Sequence, residues 1–151
     1  MKKSRVRMRA RWEERMEIRN YEVGDRAAVI ALWQACGLVV PGKNDPEADI
    51  DFAVASKDAT ILVGVAEDEI AATVMVGHDG HRGWLYYVAV TPTRQRRGLG
   101  WRMVEAAEDW LRQRGAPKAQ LLIRETNTQV EAFYAKLGYA TIPRIVMQKL
   151  L

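Results

Sequence analysis

The sequence contains very little cysteine: Cys36 is its one cysteine in 151 residues. A single thiol cannot form an internal disulfide or a cysteine-rich metal cluster, which excludes a small disulfide-stapled secreted scaffold. Long hydrophobic runs are also missing, because no uninterrupted run approaches the roughly 20 apolar residues that a membrane helix requires. We therefore expect a cytoplasmic protein with no membrane partner and no bound metal, in which Cys36 is a small buried apolar residue.

Positive charge is concentrated at one end of the chain. Residues 1–15 contain seven Lys or Arg and two Glu, a net charge of +5, so the remainder has a net charge of −1. We interpret 1–15 as a basic flexible extension and 16–151 as one folded domain. An arm that binds RNA or an acidic surface is the alternative for the extension. A secretory signal is excluded, because no apolar segment of about 7–15 residues follows.

The folded part has the composition of a globular domain, and the nearly neutral charge of 16–151 gives no reason to expect a nucleic-acid partner. Hydrophobic periodicity predicts an α/β domain. Asp25 is typical of the N-cap of a first helix, and Asp45-Pro46-Glu47 of the start of a second. Later helices are expected over about 99–114 and 130–137. Strands are predicted at 17–21, 60–66, 70–76, 84–90, centrally at 120–123, and in a final extended segment at 139–150.

The segment Gln95-Arg96-Arg97-Gly98-Leu99-Gly100 lies between an apolar strand and an amphipathic helix. N–H groups at a helix N-terminus have no intrahelical acceptors, and two glycines let an anion approach the main chain. Together with Arg94 and Arg102, this pattern is typical of a pyrophosphate site. It lacks the Gly-Lys-Ser/Thr of a P-loop and the third glycine of a dinucleotide fingerprint. The alternative is a glycine-rich loop whose arginines are only solvated.

Two motifs resemble signatures of the GNAT (GCN5-related) N-acetyltransferase family. Val88-Ala89-Val90-Thr91-Pro92, followed by Arg94 to Gly100, resembles its acetyl-CoA-binding signature. Asn127, Ala132-Phe133-Tyr134 and Leu137-Gly138-Tyr139 are similar to its second signature, in the family's order and spacing. The resemblance covers about 16–151.

A finer resemblance, to the small bacterial YpeA-type branch of that family, rests on three further segments. These are Asn44-Asp45-Pro46-Glu47, Asp49-Ile50 and Asp79-Gly80-His81-Arg82-Gly83. Gly42-Lys43 departs from the Pro-Trp expected at that place in the branch.

The family resemblance implies a mixed central sheet of six to seven strands with a splayed parallel pair, flanked by about four helices. It also implies acetyl-CoA as co-substrate, with pantetheine bound along the main chain of 88–90 like an added strand and pyrophosphate bound by the amides of 96–101. The implied cofactor-binding residues are Val88, Ala89, Val90, Gln95, Arg96, Arg97, Gly98, Leu99, Gly100, Trp101, Asn127 and Tyr134.

The resemblance further implies a direct attack of the amine on the thioester, with Tyr134 as the general acid that protonates the departing thiolate. Read without the motif, Tyr134 is an ordinary core aromatic, and Asn127 is also a good helix N-cap. The general base is not fixed by the motifs. His81 is a candidate because histidine titrates in the useful range, although a polar turn residue is more often only solvated.

The resulting hypothesis is an N-acetyltransferase that acts on the primary amine of a small molecule or a protein, as a monomer or a homodimer. Asp45, Asp79 and Glu125 are candidates for binding the amine, and Asp49 could help to select a cationic one. A non-catalytic CoA-binding regulatory module is the alternative, and an RNA-associated protein with a basic extension is a third possibility.

Overall fold

A five-stranded sheet is the framework of the computed structural model, which describes residues 15–151. In both chain and spatial order, its strands are β1 (Glu17–Asn20), β2 (Ala59–Ala66), β3 (Glu69–His78), β4 (Gly83–Val90) and β5 (Ala119–Gln120). The first four pair antiparallel, whereas β4 and β5 pair in parallel. The predicted mixed α/β sheet is confirmed. The basic extension predicted for 1–15 lies, except for its last residue, outside the described residues.

The predicted number of strands, six to seven, is wrong, because residues 15–151 form five. The strand expected at the centre of the sheet over 120–123 is instead the two-residue edge strand β5. The segment 139–150 belongs to no strand, and its apolar side chains are exposed, Ile145 to 91% and Met147 to 90%. An extended sequence pattern is not sufficient for a strand, because the backbone N–H and C=O groups also need partners.

Residues 15–151 form four α-helices, as predicted. They are α1 (Arg26–Ala35), α2 (Pro46–Ala55), α3 (Leu99–Gln113) and α4 (Thr128–Lys136). The chain divides into two compact units, Met1–Leu121 and Leu122–Leu151, and α4 lies in the second. In the described part of the chain, no helix is both long and apolar enough to cross a membrane.

The helices α1 and α2 cover one face of the sheet, and α3 covers the other. Trp33 of α1 and Ile50 of α2 are completely buried in a cluster that includes Val63 of β2. Because successive residues of a strand point to opposite faces, Gly64 points away from this cluster. A Cβ atom on Gly64 would lie 3.1 Å from the sulfur of Met103, which belongs to α3. This alternation places α3 on the second face.

The two predicted helix caps have different outcomes. The Asp45 carboxylate accepts hydrogen bonds from the N–H groups of Glu47 and Ala48, so its prediction as the N-cap of α2 is confirmed. Asp25 precedes α1, but its side chain makes no cap bond to that helix. It already has helical dihedral angles, as the end of a 3-10 turn, and its carboxylate reaches back to the N–H of Glu22 and to the Arg19 guanidinium at 2.7 Å. Asp25 therefore ties α1 to β1 instead of capping α1.

We expect Asp25→Asn to lower the free energy of unfolding at pH 7 by about 1–3 kcal/mol, because it leaves the Arg19 guanidinium with a neutral partner. The hydrogen bond from Arg19 holds the pKa of Asp25 below its ordinary value of 3.8. The stabilisation is therefore complete above that value and is lost as the pH falls through the lower pKa of the folded protein. Urea unfolding at decreasing pH should show wild type and variant converging in acid.

Asp109→Asn is the matched control for this experiment. Asp109 forms an equally short pair with Arg112, at 2.6 Å, but the two side chains are 59% and 64% exposed. Since exposed ion pairs contribute little, we expect the control to lose less than about 0.5 kcal/mol. Equal losses for the two variants would contradict a special role for Asp25.

Candidate functional site

The chain between β4 and α3 forms an open turn at the N-terminus of a long helix. Gly98 occupies the N-cap position with φ at +81°, a left-handed conformation that glycine adopts without strain. In the described residues, no side chain caps α3 there, and a Cβ atom on Gly98 would meet nothing within 4 Å. The first N–H groups of a helix have no intrahelical acceptors. The turn 95–100 therefore presents main-chain donors and the positive end of the helix dipole to an anion.

The arginines around this turn are in different situations. Arg94 pairs with Glu67 at 3.0 Å, and Arg102 donates a hydrogen bond to the carbonyl of Met16. Arg96 and Arg97 are exposed, and Arg96 has a positive φ of 63°. Arg94 and Arg102 thus have contacts with other parts of the fold, and the side chains of Arg96 and Arg97 lie at the surface of the turn.

The side chains of Gln95 and Leu99 hold the turn in place. The Gln95 side-chain amide donates a hydrogen bond to the carbonyl of Val90, at the end of β4. Leu99 is 1% exposed and anchors the first turn of α3 in the core. Any contact of Leu99 with a ligand would therefore involve its main chain.

Strand β4 has a long segment beyond its parallel pairing. The register with β5 comprises Gly83 with Ala119 and Trp84 with Gln120, and β4 continues six residues further, to Val90. Within the described strands, β4 therefore has a parallel partner only at its start. A splayed parallel pair requires this arrangement. Val88, Ala89 and Val90 lie in the part of β4 that has no parallel partner, although β3 pairs with β4 on the other side.

A β-bulge interrupts the same strand, and sequence reasoning did not find it. The antiparallel register of β3 and β4 shifts between Thr73 and Met75. Tyr86 pairs with Met75 and Ala89 pairs with Thr73, so Tyr87 and Val88 together face Val74. Tyr87 has a φ of +50°, which is rare for a bulky residue. The bulge turns the Tyr87 side chain towards the face covered by α1 and α2.

The Tyr87 side chain meets residues from three other parts of the fold. Its ring stacks on Trp33, with centroids 3.7 Å apart and planes 12° apart. Its hydroxyl donates to the Asp49 carboxylate at 2.5 Å and accepts from the Asn44 amide at 2.7 Å. Burial, and then the neighbouring Asp49 carboxylate, raise the pKa of Tyr87 to about 12. The sequence analysis named Asn44 and Asp49 as motif residues. Their contact with Tyr87 could not be predicted, because it depends on long-range packing.

The turn before β4 contains two further candidates, His81 and Asp79. The Asp79 carboxylate accepts hydrogen bonds from the N–H groups of Arg82 and His81 and from the Trp84 indole, which lower the pKa of Asp79 to about 2. The His81 side chain is exposed. This turn and the turn 95–100 lie at opposite ends of β4, roughly 25 Å apart for a strand of this length. The structure does not bring His81 and the turn 95–100 together.

The second unit contains the other three candidates. Asn127 caps α4, because its side chain accepts from the N–H of Val130, and Glu125 is exposed nearby in the chain. Tyr134 is 6% exposed and contacts the rings of Phe133 and Tyr139 edge to face. Burial raises the pKa of Tyr134 to about 12, so its phenol is protonated at neutral pH.

Comparisons with known proteins show a family and similar folds. Residues 13–139 match the Acetyltransferase (GNAT) family. An acetyltransferase of Pectobacterium atrosepticum is 41% identical over 134 residues, which cover 89% of this chain and 94% of that protein. The structure of AAC(6')-Iy in complex with the bisubstrate analog CoA-S-monomethyl-acetylneamine is similar in fold, with a TM-score of 0.76, 17% identity, and coverage of 91% of this chain and 99% of that one. Glucosamine-6-phosphate N-acetyltransferase from Arabidopsis thaliana has a TM-score of 0.68 and 26% identity, with coverage of 91% and 99%.

We expect Gly98→Asp to weaken the binding of acetyl-CoA by roughly tenfold or more, because it puts a negative charge where the turn 95–100 presents its donors. Gly98→Asn is the matched control, since asparagine has nearly the same size, tolerates a left-handed φ and has no charge. Its affinity should stay within about threefold of wild type. Calorimetric titration measures both values. Unchanged affinity of the Asp variant would contradict an anion site at this turn.

Proposed function

Because the chain belongs to the GNAT family of acetyltransferases, we propose that this enzyme transfers the acetyl group of acetyl-CoA to a primary amine by direct attack on the thioester. One observation supports this assignment above others: the part of β4 without a parallel partner is followed, after the short 3-10 turn Pro92–Arg94, by the uncapped glycine turn of α3. Main-chain groups for an extended arm are thus followed by main-chain donors for a diphosphate. Coenzyme A has these two parts in the same order.

In the proposed complex, the pantetheine arm lies along Val88, Ala89 and Val90 and pairs with their main chain like an additional strand. The diphosphate accepts hydrogen bonds from N–H groups between Arg96 and Trp101, where the dipole of α3 adds to the attraction. The exposed side chains of Arg96 and Arg97 add positive charge at the edge of this site. By the family's second signature, Asn127 is the proposed further contact of the pantetheine arm.

The proposed reaction needs no covalent enzyme intermediate. The neutral amine nitrogen attacks the carbonyl carbon, the C–N bond forms, and the C–S bond breaks. A main-chain N–H in the segment 88–90 polarises the carbonyl oxygen. The sulfur takes up a proton from Tyr134, the amine nitrogen loses a proton to the general base through solvent, and proton exchange with solvent then restores both groups. The products are an amide and the free thiol of coenzyme A.

The names of similar solved structures suggest which amines to test as acetyl acceptors. The structural neighbours include a complex with a bisubstrate analog of an acetylated neamine and an enzyme named for glucosamine 6-phosphate. We therefore propose a primary amine of a small molecule, with amino sugars as the first compounds to test and protein amines as the second. Asp45, Asp79 and Glu125 are the three residues predicted to bind the amine. Asp45 and Asp79 already accept hydrogen bonds from neighbouring N–H groups, so Glu125 is the best supported of the three. His81 stays the proposed base, with its position at the far end of β4 as the argument against it.

A panel of amines with purified protein and acetyl-CoA tests the proposed function. Release of coenzyme A thiol, with an acetylated amine confirmed by mass spectrometry, is the expected result. A reaction without amine is the control, because Cys36 is a second free thiol in the assay. Acetyl-CoA binding with no transfer to any amine would favour a regulatory module, and absence of binding would contradict the cofactor site itself.

We expect Tyr134→Phe to lower kcat by about 10²-fold while the Kd for acetyl-CoA changes less than about twofold, because only the proton donor is removed. Tyr139→Phe is the matched control, since it keeps the ring that packs against Tyr134. Its kcat should match that of wild type. Because the acid must be protonated, any loss of kcat through Tyr134 should begin as the pH approaches its pKa of about 12. Full turnover in Tyr134→Phe would remove this residue from the acid role.

A further inference from the structure

Tyr87 has an unfavourable backbone conformation, and contacts of several kinds hold it there. A left-handed φ of +50° within a strand is strained for an aromatic residue, and such strain persists only where the surroundings fix it. Three separate contacts do so here. They involve the ring, the hydroxyl group and the carbonyl oxygen of Tyr87, and each comes from a different element.

The first contact is the stack of the Tyr87 ring on Trp33. Trp33 is completely buried in α1, so its ring is a fixed surface. The nearly parallel arrangement, at 12°, determines the direction in which Tyr87 leaves the strand. In a strand without the bulge, Tyr87 would point to the face covered by α3, where this stack could not form.

The second contact is the pair of hydrogen bonds at the Tyr87 hydroxyl. Asp49 of α2 accepts its proton, and Asn44 donates to its oxygen. Asn44 is itself fixed, because its amide also donates to the carbonyl of Leu38 and its oxygen accepts from the N–H of Val40. The hydroxyl therefore joins the bulge to the loop between α1 and α2.

The third contact fixes the peptide group that follows Tyr87. The Trp33 indole donates to the Thr73 hydroxyl at 2.9 Å, and that hydroxyl donates to the Tyr87 carbonyl at 2.9 Å. Thr73 belongs to β3 and is completely buried. Since the peptide between Tyr87 and Val88 is trans, its N–H points away from its carbonyl, and so away from Thr73. This direction is towards the side of β4 that has no parallel partner beyond Trp84 in the described strands.

We propose that Tyr87 is a positioning residue for acetyl transfer: its three contacts hold the bulge so that the N–H of Val88 points at the carbonyl oxygen of the bound thioester. This inference rests on the proposed function, which already includes a main-chain donor in 88–90, and it adds the side chain that positions this donor. The Tyr87 side chain packs on the face covered by α1 and α2, so its proposed role is exerted through the backbone. A donor directed at the developing oxyanion stabilises the transition state more than the bound substrate. A change in the direction of the Val88 N–H should therefore lower kcat and leave the affinity for acetyl-CoA nearly unchanged.

Removal of the hydroxyl is the first test. Tyr87→Phe keeps the ring and its stack on Trp33 but loses Asp49 and Asn44, and we expect kcat to fall about tenfold with the Kd for acetyl-CoA within twofold. Tyr21→Phe is the matched control, because Tyr21 packs on the same cluster and its buried hydroxyl has no hydrogen-bond partner among the described residues.

A comparison of glycine and alanine at position 87 separates positioning from packing. Both variants lack the ring and the hydroxyl, but glycine accepts a positive φ and alanine resists it. We expect Tyr87→Gly to have a kcat roughly fivefold above that of Tyr87→Ala. If the position only required strand structure, alanine would be the better residue, because glycine weakens strands.

Thr73 provides a pair of variants that keeps Tyr87 itself, in case position 87 does not tolerate small residues. Thr73→Val has nearly the same shape but no hydroxyl, and we expect a kcat about tenfold lower. Thr73→Ser restores the hydroxyl and should recover kcat to within about threefold of wild type.

The amine panel is run first, so that the two ideas fail in different ways. A wild-type enzyme without turnover would overturn the proposed function and with it this inference. An active wild type whose Tyr87→Phe and Thr73→Val variants retain full kcat would overturn the positioning role alone. A kcat for Tyr87→Gly at or below that of Tyr87→Ala would do the same.

Discussion

The β-bulge of β4, where Tyr87 and Val88 face the single residue Val74, determines which face of the sheet the later residues of this strand meet. Without it, strict alternation would send Tyr87 to the face covered by α3. With it, one strand contacts α1 and α2 through Tyr87 and still delivers Ala89 to the same apolar cluster. The strain at Tyr87 is offset by a stacked ring, two hydroxyl bonds and a buried hydrogen-bond chain from Trp33.

In the cofactor site that we propose, main-chain groups, and not a surplus of charge, are the principal donors. Residues 16–151 have a net charge of −1, so the domain as a whole does not attract an anion. Arg94 and Arg102 are engaged in structural contacts with Glu67 and with Met16. The turn 95–100 itself has a left-handed glycine at the N-terminus of a 15-residue helix, and Arg96 and Arg97 are exposed beside it. Such a site selects an anion by geometry, because the donors are fixed before the ligand arrives.

The sequence predicted the features that depend on neighbouring residues. The cap at Asp45, the start of α3 at Leu99 and the glycine turn before it follow from local backbone chemistry, and the structure confirms their geometry. The bulge at Tyr87 could not be predicted, since an apolar run has the same pattern with or without one extra residue. The number of strands was wrong because residues 121–123 and 139–150 have strand-like composition but no partner for their backbone groups in the described structure. Roles inferred from the family signatures, such as that of Tyr134, rest on the motif and stay predictions.

A crystal structure of the enzyme with acetyl-CoA tests both the proposed diphosphate site and the proposed role of the Val88 N–H. The expected complex has the diphosphate on the N–H groups of residues 96–101 and the thioester oxygen within hydrogen-bond distance of the N–H of Val88, with Tyr87 still in its left-handed conformation. A cofactor bound elsewhere on the sheet, or a thioester oxygen that contacts no main-chain donor of β4, would contradict it.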